Sequence, residues 1–387
     1  MNAIQTGPPV FTSFLVKIAS RCNLACDYCY MYTHADQSWR AQPPVLSERN
    51  RDLFARRVAE YAGEHGLDEV LVVFHGGEPL LAGVSVIREA ARSVEAALPP
   101  STRASFSLQT NGLLLTEDVL RELNEDGIAV SLSIDGPAHA SDLHRLDLKG
   151  RSSFARTSAA LERLREFPDI FAGVIAVVDP RIPPLDLFEF FGPLGLPALD
   201  FLLPDANHDV QPPGRAGAPD LYVDWLLEAF DLWFDRYADT PVRTFDAVLA
   251  AVAGHSSGTD AFGFGDVSVL SIETDGTYHD LDVLKITEEG RTALQLSLEN
   301  DRIGSAALAP QIQFHRRLLT PEGLSDVCRS CPVVAVCGGG AVPHRFSSGT
   351  FENPSVYCRE LRALIEHATR RLHEAVALEG AGLATTH

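Results

Sequence analysis

Short apolar runs and stretches with helical spacing alternate along the first 235 or so residues. Six runs are predicted to be strands, because each is short, rich in apolar or β-branched residues and bounded by turn residues. These runs cover residues 12–19, 70–74, 104–108, 128–134, 173–178 and 199–203. Apolar positions at helical spacing occupy most of the intervals, at about 48–65, 84–97, 116–126, 152–166 and 184–191.

Serial strand–helix units imply right-handed crossovers and a parallel sheet. Six units rather than eight predict an α/β fold in the form of an open, partial (β/α)6 TIM barrel. Polar and glycine residues cluster directly after the strands, where parallel sheets of this kind place their active sites.

The pattern changes after the sixth unit. Residues 212–219 are rich in Pro and Gly and are predicted to connect to a helix carrying Tyr222, Trp225 and Trp233 on one side. Beyond about 255 turns are denser and strands shorter, and an amphipathic helix is predicted at about 358–378. We therefore divide the chain into a lead (1–10), a core (11–235) and linker helices with a cysteine-rich extension (236–387).

Charge and composition exclude several classes of protein. The 387 residues carry a net charge of −20, which argues against nucleic-acid partners and anionic membranes because both require basic surface. The first apolar run is too short and too interrupted for a signal peptide, and no segment is long enough to span a membrane. We expect a cytoplasmic protein, in which seven cysteines indicate metal or redox ligation before disulfides.

Three cysteines lie together immediately after the first predicted strand. Cys22, Cys26 and Cys29 form a Cys-x3-Cys-x2-Cys loop. Three thiolates on one short loop can hold a cubane iron–sulfur cluster and leave one of its irons without a protein ligand. The alternative is part of a zinc site with its fourth ligand elsewhere, although structural zinc usually takes cysteine pairs.

The other four cysteines form a second set near the C-terminus. Cys328, Cys331 and Cys337 follow a Cys-x2-Cys-x5-Cys spacing, and Cys358 completes the set. Four thiolates satisfy either a cubane cluster or a tetrahedral zinc ion, and spacing alone does not separate these two possibilities.

The motifs after the strands resemble those of the radical S-adenosylmethionine (SAM) superfamily. The resemblance includes the three-cysteine loop with Tyr28, the sequence Gly76-Gly77-Glu78-Pro79 and the sequence from Ser133 to Gly136. It implies that the loop cysteines hold a [4Fe–4S] cluster whose open iron is chelated by SAM. It further implies that other residues bind the adenine, the methionine amino group and the ribose or carboxylate of SAM. The residues implied are Tyr28 for the adenine, Gly76, Gly77 and Glu78 for the amino group, and Ser133 and Gln109 for the ribose or carboxylate.

Beside such a core, the second cysteine set resembles the SPASM extension, which carries auxiliary iron–sulfur clusters. Leu281 and Ala341 stand where two-cluster members have further cysteines. We therefore expect a SPASM-type extension with one auxiliary [4Fe–4S] cluster, held by Cys328, Cys331, Cys337 and Cys358.

Segments of the extension most resemble the FxsB-like branch of SPASM peptide maturases. These segments are 272–276, 328–334 and 353–358. The resemblance implies an enzyme that abstracts a hydrogen from a side-chain β-carbon of a ribosomally made precursor peptide. The carbon then bonds to an aromatic ring two residues away, which gives a three-residue cyclophane. An external one-electron reductant is required.

A proton must also leave the aromatic ring, and Asp282 is our first candidate for its acceptor. Asp282 directly follows the lost cysteine position, where related SPASM enzymes can carry a catalytic acid; Asp205, His208 and His279 are further candidates. Three alternatives stay open: a maturase that makes a thioether, an epimer or an oxidised side chain, an enzyme acting on a small molecule, and a zinc-stabilised binding protein.

Overall fold

Nine strands and thirteen α-helices are found in the described part of the chain, residues 7–259 and 261–384 of a computed structural model. The strands are β1 Ser13–Ala19, β2 Glu69–Gly76, β3 Arg103–Thr110, β4 Ala129–Ser133, β5 Phe171–Val177, β6 Leu199–Leu202, β7 Val269–Ile272, β8 Thr277–His279 and β9 Ala293–Ser297. All six predicted strands of the core are present, and part of the predicted lead, residues 1–6, lies outside the described residues.

The helices alternate with strands over the core and dominate the C-terminal region. They are α1 Glu48–His65, α2 Val84–Ala97, α3 Glu117–Glu125, α4 Ala138–Ser141, α5 Phe154–Leu164, α6 Pro184–Phe191, α7 Leu221–Arg236, α8 Arg243–Val252, α9 Ile303–Ala307, α10 Pro310–Leu318, α11 Asp326–Arg329, α12 Val334–Cys337 and α13 Cys358–Ala384. The side chain of Ser47 caps α1 by accepting from the backbone N–H of Asn50, as expected of a serine at that position.

The chain folds into two compact units. The first contains residues 1–176 and 266–317, and the second contains 177–265 and 318–387. Residues 266–317 therefore belong with the strands of the N-terminal region, although their sequence texture resembles that of the C-terminal extension. The predicted boundary at residue 235, between the core and the C-terminal region, stays a prediction.

A mixed sheet forms the centre of the first unit. Its strands follow the order β5-β4-β3-β2-β1-β7-β8-β9. From β5 to β7 all neighbours are parallel, whereas β7, β8 and β9 are antiparallel. The parallel part confirms the predicted α/β class, because serial strand–helix–strand crossovers produce parallel neighbours. The carboxyl ends of β1 to β4 consequently lie along one edge of this sheet.

Aromatic and aliphatic side chains form the core of the second unit. Trp225, Phe230 and Trp233 of α7 are buried, as the helical spacing predicted. Phe230 packs edge-on against Phe245 of α8 and against the ring of His367 on α13. The three long helices thus share one core, which supports the cysteine-rich loops between α10 and α13.

Candidate active site

The three-cysteine loop is a tight turn that begins just after β1. The N–H of Cys29 donates to the carbonyl of Cys26 at 3.2 Å, and the N–H of Tyr32 donates to that of Cys29 at 3.1 Å. The N–H of Leu24 lies 3.4 Å from the Cys22 sulfur and donates to it. These bonds hold the three thiols on one short stretch of ordered backbone.

Burial makes these thiols poor acids unless a cation is present. It raises the pKa of Cys22 to about 12 and that of Cys26 to about 11, and it also raises the pKa of Cys29. The neighbouring thiolates and Glu78 add to the shift at Cys22. A bound metal supplies the compensating charge and deprotonates coordinating thiols. Three such thiols on one loop therefore fit an iron–sulfur cluster.

The end of β2 lies directly against this loop, and two glycines make the approach possible. A Cβ on Gly76 would lie 1.9 Å from the carbonyl oxygen of Ala19, and a Cβ on Gly77 would lie 2.4 Å from that of Arg21. The N–H of Gly77 donates to Ala19 at 2.9 Å, and that of Glu78 donates to Arg21 at 2.9 Å. The structure thus shows a second reason for these glycines besides their predicted contact with SAM.

Glu78 is completely buried behind the loop. Its carboxylate accepts from the hydroxyl of Thr110 and the N–H of Asn111, both at 2.8 Å, and from the N–H of Leu80 at 3.0 Å. Burial raises its pKa, and these three donors oppose that shift. Glu78 therefore ties β2 to the end of β3; its binding of the methionine amino group stays a prediction.

Asn111 is a residue of this site that the sequence interpretation did not select. It directly follows β3, and its side-chain amide donates to the side-chain carbonyl of Asn23 at 2.8 Å. The same amide lies 3.7 Å from the Cys22 sulfur. Asn111 could have been selected from its place in a polar tetrapeptide at the end of a strand. Strand ends of a parallel sheet meet at one edge, where the site is expected.

Tyr28 belongs to a buried triad with Asp135 and Arg145. The Tyr28 hydroxyl donates to Asp135 at 2.6 Å and accepts from the guanidinium of Arg145 at 2.8 Å. The Arg145 and Asp135 side chains lie 3.8 Å apart. Arg145 had no sequence signal, because a single arginine in a polar loop is usually at the surface.

Arg145 also leaves a donor unused. Within the described part of the chain its Nε is buried and has no hydrogen-bond partner. A buried N–H without an acceptor is costly, and such donors occur where a ligand binds. This unused donor belongs to the side chain that contacts Tyr28, whose contact with the adenine of SAM stays a prediction.

Two further predicted SAM contacts are brought together by adjacent strand ends. The side-chain amide of Gln109 on β3 donates to the hydroxyl of Ser133 on β4 at 2.7 Å. Both side chains are partly buried and stand at the carboxyl edge of the sheet. Their direct contact with SAM stays a prediction.

Asp282 lies in the same unit, within a buried group of charged residues. Its carboxylate forms an ion pair with Lys17 of β1, accepts from the hydroxyl of Tyr30 at 2.6 Å and lies 3.6 Å from the Lys285 ammonium. Lys285 in turn pairs with buried Glu273. The strands and the cysteine loop therefore bring together residues up to 265 positions apart in sequence.

The two lysines hold Asp282 in its ionised form. Burial opposes ionisation, but Lys17 and Lys285 outweigh it, so the pKa of Asp282 lies well below its usual range. His75 faces Lys17 at 3.4 Å and stays neutral, since burial lowers its pKa to about 3. One carboxylate oxygen, Oδ1, is buried and makes no hydrogen bond among the described residues, and it faces the Lys285 ammonium at 3.6 Å.

The other candidate proton acceptors are engaged elsewhere. Both ring nitrogens of His279 are within hydrogen-bond distance of hydroxyls, those of Thr292 at 2.8 Å and Thr277 at 3.1 Å. His208 contacts the carbonyl of Pro354 at 2.8 Å in the second unit. Asp205, also in the second unit, lies 3.7 Å from the ring of His344. His279 lies near the charged group of Asp282, because Glu273, Lys285 and Asp282 all act on its pKa, which burial lowers. Asp282 itself contacts the cysteine loop through Tyr30.

The second cysteine set lies entirely in the second unit. Burial raises the pKa of the Cys337 thiol to about 11, and the charges of Cys358 and Cys328 raise it further. The pKa of Cys358 is raised by burial and then by Cys328 and Cys331. The four thiols are thus close enough to affect one another electrostatically. Four mutually repelling thiolates in a buried loop fit a cationic metal group.

The donor sets fit iron–sulfur clusters in the number and type of their thiols. A cubane distributes its thiolates over different irons, whereas a zinc ion gathers four sulfurs at about 2.3 Å from one centre. The four thiols of the second set match a zinc ion equally well in number and type. Among residues 7–259 and 261–384, no group of three or more His, Cys, Asp or Glu side chains is arranged around one metal ion.

Among the described residues, no helix is both long and apolar enough to cross a bilayer.

The chain is similar in sequence to radical SAM enzymes. Residues 16–179 match the model of the radical SAM superfamily. The cysteine-type anaerobic sulfatase-maturating enzyme of Clostridium perfringens is 23% identical over 373 residues, which cover 94% of this chain and 98% of the relative. The serine-type anaerobic sulfatase-maturating enzyme of Klebsiella pneumoniae is 26% identical over 395 residues, which cover 100% of this chain and 96% of the relative.

Solved structures show the same fold. Native anSMEcpe with bound AdoMet superimposes with a TM-score of 0.82 at 22% identity, covering 94% of this chain and 98% of that one. SuiB of Streptococcus suis bound to its precursor peptide SuiA has a TM-score of 0.59 at 12% identity, over 90% and 76% of the two chains. The fold over most of this chain is therefore the fold of anSMEcpe.

Proposed function

We propose that this chain, whose residues 16–179 match the model of the radical SAM superfamily, is a peptide maturase that joins a side-chain β-carbon to an aromatic ring of a ribosomally made precursor. The core is an enzyme's core, and its relatives include maturases of protein substrates. The three-residue cyclophane is the finer part of the proposal and derives from the resemblance of the extension to the FxsB-like branch.

Peptide substrates are supported by what the similar proteins bind. One similar structure is anSMEcpe with AdoMet and the Cp18Cys peptide, and another is SuiB with its precursor SuiA. Both cover at least 90% of this chain. We therefore assign this chain a precursor peptide as substrate, together with an external one-electron reductant.

The residues present fit the cofactors. Cys22, Cys26 and Cys29 would hold the [4Fe–4S] cluster to which SAM binds, and the four cysteines of the second unit would hold an auxiliary [4Fe–4S] cluster. When bound, these groups supply a 5′-deoxyadenosyl radical from SAM and a one-electron acceptor. The triad of Tyr28, Asp135 and Arg145 and the contact of Gln109 with Ser133 would position SAM against the loop.

The single observation that carries the chemical assignment is the Oδ1 atom of Asp282, which is buried, makes no hydrogen bond among the described residues and faces the Lys285 ammonium at 3.6 Å. Crosslinking removes two hydrogens from the peptide: one as an atom from the β-carbon, the other from the aromatic ring as a proton and an electron. A ring position that has also lost an electron is a strong acid, so a weak base is sufficient. Asp282 is ionised, buried and aimed by Lys17 and Tyr30, and it would take this proton.

Oxidation of a serine or cysteine side chain is the second candidate function. It is favoured by one observation: sulfatase-maturating enzymes match this chain over nearly its whole length. The same residues could serve it, because a side-chain oxidation also removes one hydrogen atom, one proton and one electron. Thioether formation, epimerisation and small-molecule substrates lack a comparable observation.

Anaerobic incubation with SAM, reductant and two matched peptides separates these functions. One peptide carries an aromatic residue two positions before an aliphatic residue, and its control has leucine in place of the aromatic residue. We expect the first peptide to lose two hydrogens and to resist backbone fragmentation between the joined residues in tandem mass spectrometry. The leucine peptide should form deoxyadenosine at most and no ring.

A third peptide with serine and cysteine but no aromatic residue tests the oxidation. An aldehyde product is trapped by a hydrazide, whereas a crosslink is not. Hydrazide trapping without any crosslink would overturn the cyclophane in favour of side-chain oxidation.

A chain purified with zinc and no iron would instead support the zinc-stabilised binding protein.

A further inference from the structure

One arginine of the second unit is buried without a carboxylate partner. Arg345 is 1% exposed, and the partners of its guanidinium among the described residues are backbone carbonyls, none of them a carboxylate. Its guanidinium donates instead to the carbonyl of Leu318 at 2.8 Å and to three carbonyls of the glycine loop after Cys337. Those loop bonds are 2.8 Å to Gly338, 3.0 Å to Gly339 and 2.7 Å to Gly340.

The glycine loop is shaped to meet this guanidinium. Gly338, Gly339 and Gly340 all have left-handed φ angles, of 62°, 90° and 69°. A Cβ on Gly339 would lie 2.9 Å from the central guanidinium carbon of Arg345. Three successive left-handed residues without side chains therefore turn three carbonyls toward one cation, which few other residue types would allow.

Carbonyl dipoles satisfy the donors of Arg345 but do not neutralise its charge. A buried cation without a counter-charge is costly, and natural proteins pair such groups or use them at a site. The three loop carbonyls that Arg345 binds belong to the residues directly after Cys337, a member of the second cysteine set. The counter-charge of Arg345 is therefore expected to lie at that set.

We propose that Arg345 is the positioning residue and charge partner of the auxiliary cluster held by Cys328, Cys331, Cys337 and Cys358. The inference rests on the auxiliary cluster of the proposed function. A cubane with four thiolates is an anion whose charge becomes more negative on reduction. A fixed cation nearby therefore stabilises the reduced state more than the oxidised one and raises the reduction potential. Arg345 would thus favour acceptance of the electron that leaves the substrate.

Redox titration of the auxiliary cluster tests this role. The background is a variant in which Cys22, Cys26 and Cys29 are alanine, so that only the second set binds iron. Two neutral replacements are compared in it, Arg345→Gln and Arg345→citrulline, the latter a near-isostere that keeps most N–H donors. Arg345→Lys keeps the charge with a different shape. The measured quantities are iron and sulfide content and the potential from electron paramagnetic resonance.

The expected result is a shift that follows charge rather than shape. At fixed potential both neutral variants should have about a tenfold lower ratio of reduced to oxidised cluster, which is about 59 mV for one electron. Arg345→Lys should shift by less than half of this. Arg371→Gln is the control, because Arg371 lies on α13 of the same unit and is paired with Asp231 and Asp235; its potential should not change.

Unchanged potentials in the citrulline and Gln variants would overturn the proposal. Equal shifts in the Lys and citrulline variants would do the same, since they would indicate a purely structural role. If Arg345→Gln fails to fold, the citrulline variant decides the outcome. These results do not depend on the peptide product: the potential can shift in a chain that makes no crosslink, and crosslinking can proceed at full rate with no shift.

Discussion

Asp282 combines two properties that seldom occur together in a buried carboxylate. It is held ionised by two lysines, and one of its oxygens makes no hydrogen bond among the described residues. An unsatisfied buried oxygen is normally a cost of about 1–3 kcal/mol. Such a cost is commonly retained where a group has a chemical role, and we therefore propose Asp282 as the acceptor of the proton from the aromatic ring.

Asp282→Asn tests that assignment at the level of one side chain. The amide cannot take a proton from the substrate, so we expect crosslinking to fall by about 100-fold or more while deoxyadenosine still forms. Chromatography of deoxyadenosine and mass spectrometry of the peptide measure the two steps separately. Asp275→Asn, in an exposed turn, is the control and should crosslink normally. Full-rate crosslinking by Asp282→Asn would remove the assignment.

The pH dependence of crosslinking provides a second test of the same residue. Because the folded-state pKa of Asp282 lies well below its usual range, its carboxylate stays charged throughout pH 5.5–8.5 and should contribute no step to the rate profile. The ionised pair of Asp282 with Lys17 stabilises the fold at neutral pH. This contribution to the free energy of unfolding is lost as pH falls through the folded-state pKa of Asp282. A step near pH 6 that disappears in Asp282→Asn would contradict this.

The end of β2 and the cysteine loop form one structural element rather than two adjoining ones. Backbone bonds from Gly77 and Glu78 to the loop, and the absence of side chains at the two glycines, let the strand end pack against Ala19 and Arg21. The motif Gly76-Gly77-Glu78 therefore shapes the loop that holds the first cluster, in addition to any contact with SAM.

Gly77→Ala tests this mechanical role. Its new methyl group would lie 2.4 Å from the Arg21 carbonyl oxygen, a backbone atom that cannot move without displacing the loop. We expect the iron bound by the three-cysteine loop to fall to about one tenth or less, as judged by iron analysis and the absorbance of the cluster. Gly63→Ala is the matched control, because its Cβ meets only a proline carbon at 3.6 Å and alanine favours α1. Normal iron binding by Gly77→Ala would refute this.

At the scale of the molecule, the two cysteine sets lie in different compact units. The first set follows β1 in the first unit, and the second set lies in the second unit on α11, on α12, at the first residue of α13 and in the segment between α11 and α12. Each set draws all its cysteines from its own unit. The two metal groups should therefore assemble independently of each other.

Removing either cysteine set should leave the other group intact. The chain reconstituted anaerobically should hold about eight irons, four for each [4Fe–4S] cluster. Replacing Cys22, Cys26 and Cys29 by alanine should leave about four irons and abolish deoxyadenosine formation. Replacing the four cysteines of the second unit should also leave about four irons, with SAM cleavage retained. Zinc in place of iron at the second set would exclude its role as an electron acceptor.

Much of the fold and of the site was predictable from local patterns. The six strands of the core and the helices around them follow from periodicity, since a strand or helix records its buried face in the spacing of apolar residues. The cysteine loop could be selected from the spacing of its three thiols. Gly76 and Gly77 were selected through the resemblance to the radical SAM superfamily, since glycines at a strand end usually form only a turn. Boundaries differed by a few residues, as with α5, which spans 154–164 where 152–166 was predicted.

Other features depended on contacts between distant segments. Nothing near Arg145 marks it as a partner of Tyr28, and nothing near Lys17 marks it as the counter-ion of Asp282. The assignment of residues 266–317 to the first unit was likewise unexpected, because β7 pairs with β1 across more than 250 positions. Turn density and cysteine content describe only the local composition of the sequence. They do not indicate which sheet a strand joins.

Local chemistry along the chain was thus enough to identify the α/β class, the two cysteine sets and the strand ends that carry the site. Tertiary structure alone decided which charges face one another: Lys17 against Asp282, Arg145 against Tyr28, and Arg345 against the carbonyls of the glycine loop. The physical reason is that a motif acts within a few residues along the backbone. The state of a buried charge is instead set by whatever the fold brings within a few ångströms of it.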